Sequence, residues 1–332
     1  MTPQMIHYFA AQRHADTVLP YLNTWPNDVR ELFNIVSYNN LSYIRGAKPG
    51  IFIFSDLERL GPLELKWVGA LADRLVQSFG KSVVLNHPRG LLRRAELLHA
   101  LHEAGINQYR AFNTDDPGNA VRFPAFVRMI NDHNGPVTPL LENSREHQAA
   151  LAQLLASGRD RKQLLTIEFC DTRSPDGLYR KYSSFRIGDC IVPGHVLTSS
   201  DWITKDSPPE PMRPEELDYL TLNPHARELK QIFELARIDY GRIDYGLKDG
   251  RIQVWEINTN PTLIQTRDKY APDKLSMKQQ LVNQLSDAFL ALHQLVEAIP
   301  EHAWASVPLR LFYDSGLKPR ATLRRFFRGV NL

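Results

Sequence analysis

The chain has 332 residues, 43% hydrophobic and 23% charged, with a formal net charge of +3. That length supports two or three compact units with their own cores, and the apolar content excludes a disordered chain. The small net charge gives no bulk electrostatic reason to expect a nucleic-acid partner, and no apolar run reaches the roughly 18–20 residues of a membrane span.

In chain order, residues 5–10 (MIHYFA), 33–37 (FNIVS) and 51–54 (IFIF) read as short apolar strands. Residues 62–79 read as a helix with Leu63, Trp67, Leu71 and Leu75 at helical spacing. Val83–Leu85 reads as a buried strand, followed by Asn86-His87-Pro88 and a helix over 91–104. Alternating strands and helices predict a small parallel sheet. Beyond residue 120 the pattern changes. Phe123–Ile130 and Leu164–Phe169 read as strands, separated by a loop over Asn131–Pro139 and a helix to 157 capped by Asn143 or Ser144. Tyr179–Ile187 and Cys190–Leu197 predict a hairpin across Gly188-Asp189. Residues 205–215 are Pro-rich and charged, which predicts an exposed loop. Asn223 is placed to cap a helix over 224–237, a second hairpin spans 242–258, and a helix covers 275–297.

Cys170 and Cys190 stand without a CxxC or Cys/His cluster, so they read as free thiols of a reducing compartment rather than zinc ligands. The N-terminus lacks the charged start and apolar stretch of a signal peptide. The expected location is the cytoplasm.

The stretch Arg242–Pro261, RIDYGLKDGRIQVWEINTNP, carries the chemistry. Alternation puts Arg242 and Asp244 on one face of the first strand, and Glu256 and Asn258 on one face of the second. The turn decides whether those faces coincide. A three-residue loop, Lys248-Asp249-Gly250, would pair Leu247 with Arg251 and Arg242 with Glu256, and all four polar residues would project together. A two-residue loop, Asp249-Gly250, would separate the carboxylates. The expectation is the three-residue loop. Two carboxylates and an amide oxygen make a hard oxygen site suited to magnesium, with Arg242 beside it for a phosphate. The competing reading is a surface hairpin with a solvated polar face.

Asp244, followed twelve residues later by Glu256-Ile257-Asn258-Thr259-Asn260-Pro261, resembles the metal-binding signature of ATP-grasp enzymes such as D-alanine–D-alanine ligase and glutathione synthetase. The resemblance implies Asp244, Glu256 and Asn258 as magnesium ligands and Arg242 as a catalytic contact to phosphate or substrate. Other segments agree in order. Leu85–Leu101 is similar to the end of the family's pre-ATP-grasp domain, with Arg94 nearest its basic residue. Phe123–Arg128 resembles a strand whose lysine contacts ATP; here Arg128 stands in its place and is not equivalent to lysine. Asn131–Pro139 takes the place of the family's phosphate loop with one glycine, Gly135, whose neighbouring amides suit phosphate capping; a plain turn is the alternative. Leu165–Asp171 resembles the strand that holds adenine, which puts Glu168 at the nucleotide. In the next hairpin Lys181 is assigned to ATP and Arg186 to catalysis. Neither GxxxxGKS/T nor GxGxxG occurs.

The resemblance implies an α/β (α+β) protein. A pre-ATP-grasp parallel α/β domain over 1–110 precedes a two-lobed ATP-grasp domain with antiparallel sheets over 111–300. Its lid lobe covers about 120–175 and its metal-binding lobe about 176–300. A basic extension over 301–332 completes the chain and reads as an amphipathic terminal helix, or as a surface for an acidic partner or membrane. The implied activity is ATP-dependent ligation of a small-molecule or peptide carboxylate to an amine, with ATP and magnesium as cofactors. An ATP-grasp kinase and an inactive nucleotide-binding module are the alternatives. His87, Arg89 and Thr259–Thr266 are candidates for the acceptor side. Many members are dimers or tetramers, which leaves a homodimer open.

Overall fold

A computed structural model describes residues 5–38, 50–114, 121–132, 134–204 and 214–297. The expected loop over 205–215, except for its last two residues, and the basic tail over 301–332 lie outside the described residues.

Strands β1 (Met5–Ala10), β2 (Phe33–Ser37), β3 (Gly50–Phe54) and β4 (Val84–Leu85) form a parallel sheet in the order β2-β1-β3-β4. Strand β3 is buried along its whole length, which explains why it reads as an unbroken apolar run. Helix α1 (Leu19–Thr24) follows β1, and α2 (Pro62–Phe79) follows β3. Pro62 in the first turn and the Glu64 carboxylate, accepting from the Gly61 amide at 2.7 Å, start α2. Its buried stripe is Val68, Leu71, Ala72, Leu75 and Phe79. Leu63 is exposed and Trp67 half-buried, so the expected stripe holds only from its third position. The strand expected at Val83–Leu85 is shortened by a 3-10 turn over Lys81–Val83.

Helix α3 (Arg94–Glu103) leads to an antiparallel sheet of β5 (Ala111–Asn113), β6 (Ala125–Met129) and β7 (Leu164–Glu168), in the order β5-β7-β6. Helix α4 (Ser144–Ala156) joins β6 to β7; of the two expected caps, Asn143 is the one used, its side chain accepting from the Glu146 amide at 3.0 Å. The second antiparallel sheet contains β8 (Tyr179–Ile187), β9 (Cys190–Ser199), β10 (Tyr240–Lys248) and β11 (Arg251–Asn258), in the order β11-β10-β8-β9. Helices α5 (Pro214–Leu222) and α6 (Ala226–Ala236) lie between β9 and β10, and α7 (Leu275–Glu297) ends the described chain.

Asn223 does not cap α6. It sits at φ 46° and its amide donates to the Ile191 carbonyl at 2.8 Å, so the helix begins later, after His225.

The parallel sheet and the β8–β11 sheet share one core. Phe185, Ile187 and Tyr240 pack in the same cluster as Ile6, Tyr8 and Phe54, with Leu281, Leu285 and Phe289 of α7 filling the space between. Asn86 adds a polar rivet. Its side-chain oxygen accepts from the amides of Asp239 at 2.8 Å and Tyr240 at 3.0 Å, and its nitrogen donates to the Tyr240 carbonyl at 2.6 Å. Asn86 is fully buried and left-handed at φ 60°, a conformation asparagine tolerates well. Asn86→Ala strands two buried donors and adds backbone strain, so urea denaturation should show a loss of about 3 kcal/mol.

Candidate functional site

The hairpin β10–β11 turns through Asp249-Gly250, with φ 51° and 73° and Lys248 paired to Arg251. This is a two-residue turn, not the expected three-residue loop. Positive φ at both central residues suits the twist of the flanking strands. Continued without interruption, that register would set Asp244 opposite Trp255. The register instead shifts between Asp244 and Tyr245, leaving Trp255 as an extra residue on β11. Beyond this bulge Asp244 faces Glu256 and Arg242 faces Asn258. The expected pairing of Arg242 with Glu256 is therefore replaced, yet the four side chains still share a face, because the bulge restores the parity that the short turn removed. Gly246 makes room for it: a Cβ there would lie 2.7 Å from the Trp255 ring.

These residues form one wall of a cavity of about 550 Å³ between the two antiparallel sheets, a volume typical of small-ligand sites. Lys181, Arg242, Asp244, Glu256 and Asn258 line it from the β8–β11 sheet. Arg128 on β6 and Gly135 in the following loop line it from the other side. Gly135 is at φ 92° with no atom within 4 Å of where a Cβ would stand. The remaining wall is aromatic: Trp202 packs 5.0 Å from Phe126 and 5.6 Å from Phe169, ring centre to ring centre.

Ion pairs bind the polar wall together. Glu256 Oε2 accepts from Arg94 at 2.6 Å and from Arg128 at 2.9 Å. Asp244 accepts from Arg242 Nε at 2.8 Å and Nη2 at 3.2 Å, and Lys181 Nζ lies 3.7 Å away. Burial first, and then the charges of Arg242 and Lys181, push His195 well below the usual histidine range, so its imidazole is neutral. Among the described residues no group of three or more His, Cys, Asp or Glu side chains converges. The candidate metal set is two carboxylates and one amide, all hard oxygen donors, and that chemistry fits magnesium shared with phosphate oxygens.

Two expected site residues are committed elsewhere. Arg186 lies on the opposite face of β8 from Lys181 and does not line this cavity. Its guanidinium donates to the carbonyls of Gly188 at 2.8 Å and Ile238 at 3.0 Å. Glu168 lines the cavity, but both carboxylate oxygens accept from Arg110 and Arg122. Each arginine donates its backbone amide, its Nε and one terminal nitrogen, at 2.5–3.0 Å. Of the acceptor-side candidates, His87 and Arg89 both pair with Asp73 on α2. Thr259 donates to Glu58 at 2.5 Å, and Asn260 accepts from Tyr8 at 2.8 Å and Thr17 at 2.7 Å.

The sequence reading missed three features. Arg94 supports Glu256. Arg110 and Arg122 clamp Glu168. Asp56, buried at the end of β3, accepts from His14 Nδ1 at 2.6 Å beside the Asn260 network. The only sequence trace of the first was the basic residue already noted at 94. The other two join residues far apart in the chain.

No family model matches the chain, and no curated protein matches it by sequence. Solved structures do match. D-alanine–D-alanine ligase from Bacillus anthracis is 12% identical, with a TM-score of 0.50 over 88% of this chain and 99% of that one. The ATP-grasp ligase PsnB, solved in complex with a minimal precursor, is 13% identical, with a TM-score of 0.51 over 87% of this chain and 99% of that one. The architecture is that of the ATP-grasp proteins. More narrowly, it is the fold shared with these two ligases, and at these identities the likeness concerns the fold alone.

Burial alone would raise the Glu168 carboxyl, but the bonds from Arg110 and Arg122 outweigh it and pull it down to about 2. A depressed folded-state value stabilises the fold above the unfolded carboxylate range, and the stabilisation drains away as pH falls from about 4.5 to about 2. Glu168→Gln should lose about 3 kcal/mol at neutral pH and flatten that part of the acid limb. Urea unfolding across this pH range measures both effects.

Proposed function

We propose that this chain is an ATP-dependent ligase that activates a carboxylate as an acyl phosphate and joins it to an amine. The observation that carries the reading is the cavity wall on which Asp244 faces Glu256 across one strand pair, with Asn258 beside them and basic side chains around them. Asp244, Glu256 and Asn258 would hold magnesium, which supplies charge neutralisation at the phosphates. The aromatic end at Phe126, Phe169 and Trp202 suits a flat base. Arg128, Lys181 and the loop at Gly135 suit a polyphosphate.

Phosphoryl transfer to a carboxylate brings two anions together, and fixed cations lower that barrier. In the proposed reaction a carboxylate oxygen bonds to the γ-phosphorus and ADP leaves. The amine nitrogen then bonds to the acyl carbon, inorganic phosphate leaves, and the nitrogen gives up one proton. Arg242 is the residue we assign to the transferring phosphate. We withdraw the catalytic role expected of Arg186, since its donors hold main-chain carbonyls. Glu168 we assign to holding the strand beside the base rather than to contacting it with its carboxylate. We place the acceptor acid and amine where the carboxyl ends of β1 and β3 meet residues 259–266, the usual ligand edge of a parallel sheet. The domain division at about residues 110 and 300 belongs to the same proposal.

Calorimetry with MgATP tests the nucleotide site. Wild type should bind, and Glu256→Gln and Asp244→Asn should each weaken binding by at least about tenfold. Nucleotide binding that is absent in wild type, or equal in all three proteins, would sink the assignment. Phosphate release on addition of acid–amine pairs then separates a ligase from a kinase, which retains the phosphate on its product.

A further inference from the structure

Forming an amide sheds a proton from the amine nitrogen, and the side chain that takes it must be a base that is neutral near physiological pH. The acidic and imidazole groups around the cavity are committed. Asp244 and Glu256 are engaged by Arg94, Arg128, Lys181 and Arg242, and Glu168 by Arg110 and Arg122. His195 is neutral, but its Nε2 is buried and it does not line the cavity. A second histidine stands elsewhere, at the carboxyl edge of the parallel sheet.

His14 lies on a 3-10 turn over Gln12–Thr17, just after β1, and Asp56 lies two residues past the end of the neighbouring strand β3. Their side chains meet, with His14 Nδ1 2.6 Å from Asp56 Oδ2. The Ala11 amide donates to the same oxygen at 3.3 Å, and Arg59 Nε stands 3.1 Å from the other. The Asp56 side chain is 1% exposed, whereas that of His14 is 33% exposed. Among the described residues nothing bonds to His14 Nε2. An Nδ1–H donated to the carboxylate leaves the lone pair on Nε2, the nitrogen open to a ligand. Asp56 is also left-handed, at φ 58°. A desolvated carboxylate on such a backbone is costly, and costs of this kind concentrate at functional sites.

The pair is tied to the segment that follows the candidate metal ligands. Asn260 donates its side-chain nitrogen to the His14 carbonyl at 3.1 Å and its amide to Asn258 Oδ1 at 2.7 Å. Thr259 donates to Glu58 at 2.5 Å, and the Leu263 amide donates to the Thr17 carbonyl at 3.1 Å. The other charged and titratable groups around Asp56 are Glu58, Arg59, Tyr8 and Tyr38. Burial pushes both tyrosines up, so they keep their protons. Burial also pushes the Asp56 carboxyl up, and the His14 bond works against that shift. Resting on the ligase reading above, we propose that His14 Nε2 takes the proton from the amine nitrogen as that nitrogen bonds to the acyl carbon and inorganic phosphate leaves, with Asp56 as the positioning residue that fixes its tautomer. Asp56 then stabilises the imidazolium, which returns the proton to water through the exposed edge of the ring.

Nitrogen-15 NMR of the full chain tests the geometry without a substrate. The neutral His14 ring should carry its proton on Nδ1, and Asp56→Asn should move it to Nε2. A neutral wild-type ring protonated on Nε2 overturns the inference, and this measurement decides alone should the variants fail to fold by circular dichroism. The role is tested by MgATP-driven turnover of free amino acids, with a second amino acid or hydroxylamine as the nucleophile. Hydroxylamine traps acyl phosphates without a catalytic base. His14→Gln should lower kcat for ligation by about 100-fold and remove the acid limb of kcat/KM, while MgATP affinity and hydroxamate formation persist. Asp56→Asn should lower kcat at least about tenfold. Unchanged kcat in folded His14→Gln, or loss of hydroxamate in proportion to ligation, overturns the inference and leaves the ligase reading standing. Absence of both amide and hydroxamate in wild type removes both readings.

Discussion

Two carboxylates stand directly opposite each other on neighbouring strands, and much of the molecule is arranged around that contact. Like charges in such a pair repel, and burial makes the repulsion worse. Asp244 and Glu256 are tolerable neighbours because cations reach them from several elements: Arg94 from α3, Arg128 from β6, Lys181 from β8 and Arg242 from β10. One charge cluster therefore ties α3 and both antiparallel sheets to a single point.

The surrounding polar networks hold this point in place. Asn86 locks the end of the parallel sheet to the start of β10. Asn260, two residues past the last candidate ligand, bonds to Tyr8, Thr17 and the His14 carbonyl. The carboxyl ends of β1 and β3 are thereby brought beside the Glu256–Pro261 segment. On the far side, Glu168 and its arginines fix the strand that closes the aromatic end of the cavity. Each network centres on one buried polar side chain, Asn86, Asn260 or Glu168, with several hydrogen-bond partners, which specifies position more sharply than apolar packing does.

The hairpin shows how a correct grouping can rest on the wrong turn. Alternation along 242–258 placed Asp244, Glu256, Asn258 and Arg242 on one face only if the loop had three residues. The chain uses the two-residue turn that Asp249-Gly250 favours and inserts Trp255 as the compensating extra residue. A pattern of period two does not announce a bulge; the small Gly246 beside the Trp255 ring is its one local trace. Asn223 is a similar case. Its residue type suits a helix cap, but a bond to β9 had the stronger claim on it.

Local chemistry in the sequence marked most of the strands and helices, though not α1, β5 or α5, and the parallel and antiparallel halves; Arg128, Lys181 and Gly135 joined Asp244, Glu256, Asn258 and Arg242 through the resemblance to ATP-grasp enzymes, and all seven line one cavity. Periodicity, turn residues and a short motif act over a few residues, so they survive without knowledge of the fold. Which cation meets which carboxylate was decided only in three dimensions. Arg94 lies 162 positions from Glu256, and Arg110 and Arg122 lie 58 and 46 from Glu168. The sequence reading gave Lys181 to ATP and Arg186 to catalysis; in the fold the Arg186 guanidinium donates to the carbonyls of Gly188 and Ile238 and does not line the cavity. A charge in a sequence has a sign but no neighbours, and electrostatic energy depends on distance and burial, which only the folded chain supplies.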